Sequence, residues 1–265
     1  MPTAFKDHFS AVAADYASAR PEYPDALYAW IAQAAPARGR VWEAGCGSGQ
    51  ATRGLSLHFA EVFATDPSAA QVAQAHGPEN VRFAVEPGEA CSLADASVDA
   101  VCVAQALHWF DRDAFFAESA RVLRPGGVLA AWGYQDLVVP AELAEANAAL
   151  QDAIRAYWPP ERALIDEAYA SFDWPFPAAA APAFELRADW TLPRLLGYFA
   201  SYSASKRCRE ATGRDPVAAH ADALAAAWGD PLVARPMRWP LFLHARRKPA
   251  DTAFRPRTGR QPLAC

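Results

Sequence analysis

The segment Glu43-Ala44-Gly45-Cys46-Gly47-Ser48-Gly49-Gln50 constrains this chain more than any other, because alternating glycines follow directly on a short apolar run. Glycines so placed let the backbone turn sharply and leave no Cβ between a ligand and the main chain. A helix that starts there presents free N–H groups to whatever lies over the turn. Val41–Ala44 enters the turn as a strand, and Glu61–Thr65, Val81–Val85, Val98–Ala104 and Val128–Trp132 read as further strands. Helical patterns separate them over about 51–58, 68–76 and 111–123, the last with Phe116, Ala120 and Leu123 on one face before Pro125-Gly126-Gly127. Short apolar strands alternating with helices form a mostly parallel sheet covered on both faces, an α/β fold.

The flanks read differently. Up to residue 40 the pattern is helical, with Leu27, Trp30, Ile31 and Ala34 at helical spacing. After Tyr134 the alternation stops. Residues 140–158 read as one amphipathic helix with Leu143, Leu150, Ile154 and Tyr157 on its apolar side, and the proline-rich stretch 159–183 as a cap or connecting loop. Phe184–Leu192 alternates as a half-exposed strand, helices fill 193–228, and Arg238–Arg246 reads as a last strand. Residues 249–265 have little apolar content and read as a disordered tail.

Bulk properties narrow the function. With 265 residues, 52% of them hydrophobic, the chain is long enough for one substantial core. A net charge of −5 argues against a mainly electrostatic nucleic-acid binder, so no nucleic-acid partner is expected. No stretch approaches the roughly 20 apolar residues of a membrane helix, and the first residues lack the apolar core of a signal peptide. The cysteines Cys46, Cys91, Cys102, Cys208 and Cys265 are scattered without a C-x-x-C pair, which argues against a disulfide framework or zinc site and for a reducing cytoplasm.

The glycines follow G-x-G-x-G, not the G-x-G-x-x-G of a dinucleotide fingerprint. A ligand with an amino-acid end and no phosphate fits the shorter form; so does a plain tight strand–helix turn. Asp66 ends the second strand, where a carboxylate accepts both hydroxyls of a ribose. Taken alone, Asp66-Pro67 is also a helix N-cap. With a glycine turn some twenty residues earlier, it reads as part of a nucleoside site.

Val41-Trp42-Glu43 through Gln50 resembles the first motif of class I S-adenosylmethionine-dependent methyltransferases, and Ala64-Thr65-Asp66-Pro67-Ser68 resembles their second. Pro87-Gly88-Glu89-Ala90, Leu93 through Asp99, and Arg121-Val122-Leu123-Arg124-Pro125-Gly126-Gly127 resemble the later ones. Gln105-Ala106-Leu107-His108-Trp109-Phe110-Asp111 is similar to the narrower type 11 branch that includes trans-aconitate methyltransferases, as is the opening from His8 to Pro24. The likeness covers 1–135, and more loosely 150–248, where Tyr157 to Arg162, Leu195 to Ser203 and Arg238 to Leu241 echo the branch. One departure is Glu43, where aspartate is commoner; the longer carboxylate still reaches an ammonium, directly or through water.

The resemblance implies a Rossmann-like sheet with an antiparallel last strand. It divides the chain into a helical lid over 1–40, a cofactor-binding core over 41–135, and cap helices with the last two strands over 136–248. It implies S-adenosylmethionine as cofactor, S-adenosylhomocysteine as product, and no metal. Gly45, Cys46, Gly47 and Gly49 would back the methionine portion, with Glu43 near its ammonium; Asp66, flanked by Pro67 and Ser68, would hold the ribose; Glu89 and Ala90 would border the adenine. Gln105 would lie beside the sulfonium, and Tyr16 and Arg20 would come from the lid. His108 is the candidate general base for a hydroxyl or amine acceptor, or else part of a packed aromatic turn, and Trp109 a pocket wall. A carboxylate acceptor would instead want cationic anchors: Arg20, Lys206, Arg207 and Arg209, of which the last three also read as a solvated helix face. Trp158, Trp174, Trp190, Trp228 and Trp239 read as packing.

The expected activity is methylation of a small molecule, on a carboxylate or hydroxyl oxygen, by a monomer or homodimer that needs no membrane. The alternatives are a macromolecular acceptor, opposed by the acidic balance; a cofactor-binding protein without methyl transfer, opposed by the intact glycines, Asp66 and Glu89; and a nicotinamide oxidoreductase, opposed by the glycine spacing.

Overall fold

A computed structural model describes residues 21–250. Tyr16, Arg20, the earliest helices and most of the tail lie outside the described residues. The apolar runs form β1 (Arg40–Ala44), β2 (Glu61–Thr65), β3 (Val81–Ala84), β4 (Val98–Ala104) and β5 (Leu123–Tyr134), all parallel. β6 (Phe184–Trp190) and β7 (Arg235–Arg247) extend the sheet, with β7 antiparallel to both neighbours, in the order β3-β2-β1-β4-β5-β7-β6. The strand order reverses between β1 and β4, and ligands of open parallel sheets bind over the carboxyl ends of the strands at that point.

β4 is the central strand and is buried along nearly its whole length. Its one charged residue, Asp99, is compensated as a buried charge must be. Asp99 Oδ2 accepts from the N–H groups of Gly39 at 2.9 Å and Arg40 at 3.0 Å, and Oδ1 meets Arg124 at 2.5 Å. β5 starts earlier than the sequence pattern indicates. Its register jumps from Val98↔Leu123 to Ala100↔Val128, so Pro125-Gly126-Gly127 bulges out of the ladder instead of ending a helix before it.

Helices α1 (Asp25–Ala34) and α2 (Gln50–Ser56) cover one face, packing Leu27, Ile31 and Leu55 against Val41, Val62 and Trp132. α3 (Ala69–Val72) is shorter than expected, because the chain from Gln74 to Ala75 tightens into i→i−3 hydrogen bonds. On the other face α4 (Arg112–Val122) buries Phe115 and Phe116 against Trp42 and Val101. The segment read as one helix over 140–158 is α5 (Ala144–Ile154) with a 3₁₀ turn at each end. α6 (Arg162–Asp166) follows, and α7 (Leu192–Ala200), α8 (Ser203–Thr212) and α9 (Pro216–Trp228) complete the cap.

α1 meets α2 at Gly54, where a Cβ would lie 2.0 Å from the ring of Tyr28, itself buried. Gly54→Ala would gain about 1 kcal/mol of helix propensity, but forcing the ring aside costs about 1–3 kcal/mol or more. The expected result is a net loss of stability, seen as a lower midpoint in urea denaturation; a midpoint at or above that of the parent would show that the helices separate freely.

Candidate active site

Gly45, Gly47 and Gly49 all take positive φ, at 70°, 54° and 87°. A Cβ at Gly45 would lie 2.6 Å from that of Ala106, so the turn is pressed against the end of β4, whereas one at Gly47 would meet nothing closer than Gln71 Oε1 at 3.9 Å. Gly47 therefore forms the open floor of the crevice. Cys46 is buried, and its N–H donates to Thr65 O at 2.9 Å.

Carboxylates tie the neighbouring loops together. Asp66 Oδ2 accepts from Gly47 N–H and Oδ1 from Ser68 N–H, each at 2.9 Å. Glu89 Oε1 accepts from Asp111 N–H at 2.8 Å and so links the loop after β3 to the start of α4. Pro67 is half-buried and Ala90 exposed. Glu43, at the end of β1, is only 1% exposed and accepts from Thr52 Oγ1 at 2.5 Å. Burial pushes its carboxyl up to about 8, with the Asp66 charge adding to the effect and the Thr52 hydroxyl and Arg53 opposing it.

Gln105 ends β4 in the left-handed region, at φ 52°, a strained conformation for a residue with a side chain. Its amide donates to Tyr134 O at 3.1 Å, while its Oε1 is buried and accepts no hydrogen bond. A Cβ at Gly133 would lie 2.5 Å from that oxygen, so the glycine is what admits the amide. His108 follows in a 3₁₀ turn, Leu107–Trp109, with Nδ1 3.0 Å from Tyr169 Oη and the Trp109 ring 4.8 Å away. Burial first, and then the nearby Arg162, push the imidazole down to about 3.

Gln105, His108 and Trp109 open onto a cavity of about 320 Å³. Its other walls are Tyr134, Trp158 and Arg162, and the cap residues Tyr198, Tyr202, Lys206, Arg207 and Arg209. Arg162 is held by Asp136 at 2.5 Å and Asp166 at 2.7 Å, and Arg209 by Asp215 at 3.2 Å. Lys206 has Glu210 no nearer than 3.9 Å. Arg207, half-buried, makes no ion pair or hydrogen bond with any described residue.

A family model described as a methyltransferase domain matches residues 42–131, from β1 through most of β5. A Dictyostelium discoideum protein with a provisional methyltransferase name is 32% identical over 219 residues, 81% of this chain and 83% of that one. The chain belongs to the class I S-adenosylmethionine-dependent methyltransferases. A solved structure from Anaeromyxobacter dehalogenans, described with similar reserve as a type II methyltransferase, superposes on this methyltransferase with a TM-score of 0.83. It is 42% identical and covers 88% of this chain and 99% of its own. The malonyl-[acyl-carrier protein] O-methyltransferase of Hahella chejuensis is 35% identical over 133 residues, 46% of this chain and 47% of that one.

The residues fit the cofactor's chemistry. The open glycine floor admits a ligand against backbone, and the crevice around it carries Glu43, Asp66 and the unpartnered Gln105 Oε1. That acceptor-rich lining suits a ligand bearing an ammonium and a sulfonium. Among the described residues no cluster of three or more His, Cys, Asp or Glu is arranged to hold a metal, and no helix is long and apolar enough to cross a membrane.

Gln105, His108, Trp109, Lys206, Arg207 and Arg209 are brought together around the cavity, while Glu43, Asp66 and the glycines lie at the crevice beside it. Trp158, read as packing, is instead a cavity wall, and Tyr198 and Tyr202 were not singled out. All three sit in the stretches from Tyr157 and from Leu195 that echo the type 11 branch, which was the available signal. Tyr169 had none.

The raised Glu43 carboxyl predicts a pH signature. Between about 4.5 and 8 the folded chain holds a proton that the unfolded chain has released, so stability falls as pH rises through this window. The slope contributed is at most about 1.4 kcal/mol per pH unit. In urea denaturation at several pH values, Glu43→Gln should fall less between pH ~5 and ~8 than the parent; parallel curves would show that Glu43 is ionised in the free protein.

Proposed function

We propose that this methyltransferase methylates an oxygen of a small molecule, and that the oxygen belongs to a carboxylate. The observation that carries the reading is the cavity of about 320 Å³, aromatic in its walls, with Arg207 unpaired on its cap side. It lies at the small end of small-molecule sites, roughly 300–1,000 Å³, and is too small to enclose a folded polymer. Lys206, with Glu210 of the same wall 3.9 Å away, and Arg207, which has no ion pair among the described residues, offer an anion positive charge.

When bound, S-adenosylmethionine supplies an electrophilic methyl group on a sulfonium. Gly45, Cys46, Gly47 and Gly49 give its methionine portion a backbone floor, and Glu43 offers its ammonium a carboxylate. Asp66, with Pro67 and Ser68 beside it, takes the ribose, and Glu89 and Ala90 border the base. Gln105, at the end of β4, borders the cavity and would lie beside the sulfonium. The rest of the work is alignment, which contributes about 7–11 kcal/mol in favourable cases. A carboxylate arrives already ionised and needs no base. A hydroxyl acceptor would need one, and His108, held down at about 3, is poorly matched to that task. The O-methyltransferase name of the Hahella relative also supports an oxygen acceptor.

Calorimetric titration with S-adenosylmethionine, followed by labelled-methyl transfer to a panel of carboxylic acids and their alcohol counterparts, tests the reading. Esters from the acids are expected; transfer only to the alcohols would overturn it. Asp66→Ala should weaken cofactor binding about 10-fold or more, since a hydrogen bond to a charged group is worth about 1.5–3 kcal/mol. For an acid that is turned over, Arg207→Gln should raise KM by about 10-fold and leave cofactor affinity unchanged. An unaltered KM would remove Arg207 as the anchor.

A further inference from the structure

We infer that His108 faces the acceptor as a fixed hydrogen-bond donor through Nε2–H, and that Tyr169 is the positioning residue that sets this tautomer. Tyr169 Oη lies on a fully buried side chain, 3.0 Å from His108 Nδ1. The rings nearest to it are Phe172, stacked at 4.6 Å, and Phe242, edge-on at 4.9 Å, and neither offers an acceptor. The hydroxyl has one proton, and His108 Nδ1 is the acceptor left for it. Nδ1 therefore carries the lone pair and the ring proton sits on Nε2. The opposite assignment would leave a buried O–H without an acceptor, which native structures avoid.

The polar atom left to His108 on the cavity side is Nε2, for which no protein partner is recorded among the described residues. The arrangement is built at some conformational cost. Ala168 and Tyr169 both take positive φ, at 49° and 57°, in the turn after α6. His244 on β7 pins that turn through Nε2, 2.6 Å from Ala168 O. The charged group facing His108 is Arg162 of α6, whose own partners are Asp136 and Asp166; no carboxylate touches the imidazole. Burial and that cation keep the ring neutral, so a donor at Nε2 persists through the physiological range.

A neutral donor takes no proton from the acceptor. It fits the oxygen of a carboxylate that does not attack, leaving the second oxygen free for the methyl group, and no bond to His108 forms or breaks. This use of the donor rests on the carboxylate reading above; the tautomer itself does not.

The test is long-range ¹H–¹⁵N correlation NMR of the full chain with ¹⁵N-labelled histidine, recorded from pH ~5.5 to ~8, with His108→Gln identifying the ring by loss of its signals. The expected pattern is a protonated-type shift at Nε2 and a lone-pair-type shift at Nδ1, unchanged across the range. A proton on Nδ1, or a titration with a midpoint near 6.5, would overturn the assignment. In Tyr169→Phe, checked for folding by its thermal midpoint, the fixed pattern should give way to mixed tautomers; a pattern identical to the parent's would remove Tyr169 from the role. If acids fail as acceptors while the Nε2–H pattern holds, the carboxylate reading falls alone.

Discussion

The close approach of the glycine turn to the end of β4 is the constraint on which the functional edge of this protein depends. Where a Cβ of Gly45 would sit, Ala106 and Phe110 already stand, at 2.6 and 3.0 Å. Because the turn presses there, the chain leaving β4 must bend at once, through strained Gln105 into the 3₁₀ turn that carries His108. The same contact brings the floor of the crevice and the mouth of the cavity to one residue. Asp66 and Glu89 then fasten the remaining loops by accepting backbone N–H groups at 2.9 and 2.8 Å. Each carboxylate has about four acceptor positions, so holding a loop does not exhaust its capacity for a ligand.

The two buried carboxylates at opposite ends of the sheet show how differently the edges are built. Asp99, at the amino edge, is matched by two N–H groups and by Arg124. Glu43, at the carboxyl edge, has one hydroxyl, and its carboxyl rises to about 8. A fully desolvated acid with a single neutral donor is a poor structural anchor and a good partner for an arriving cation. Its position suits the cofactor's chemistry better than it suits stability. The cavity wall instead carries Lys206, with Glu210 3.9 Å away, and Arg207, which has no ion pair among the described residues.

Much of the sheet was legible because its signals are local. β2 and β4 match the sequence reading residue for residue, since each is a short apolar run closed by a turn residue. The glycine turn and Asp66 stood out for a related reason, their spacing along the chain, whereas Gln105 stood out only through the family resemblance. The cavity was not legible. Arg207 and Arg209 lie two residues apart on one helix and both border it, yet Asp215, beyond the end of α8, engages only Arg209. Trp158 has the composition of a core residue and becomes a wall because Arg162, packed over its ring at 4.8 Å, is drawn to Asp136. Tyr169 reaches His108 through two successive left-handed residues without a glycine, which no propensity foretells. The start of β5 was missed because a Pro-Gly-Gly sequence reads as a stop, and only the register against β4 shows it to be a bulge.

The cap's attachment decides what in this cavity is free to change. Leu150, Phe199, Leu224, Trp228 and Trp239 belong to the same buried cluster as Val41, Val62 and Trp132 of the central strands. Fully burying a large apolar side chain is worth about 1.5–3 kcal/mol, so a cluster shared by cap and sheet favours their staying together. The stretch read as cap helices therefore shares one core with the sheet. What remains adjustable is the layer of half-buried side chains on α8, above all Lys206 and Arg207, which border the cavity without belonging to that core. Changes there alter what the cavity accepts while the glycine turn, Asp66 and Gln105 stay as they are. The residues proposed for the cofactor and those proposed for acceptor choice thus lie on separate elements that meet at the end of β4.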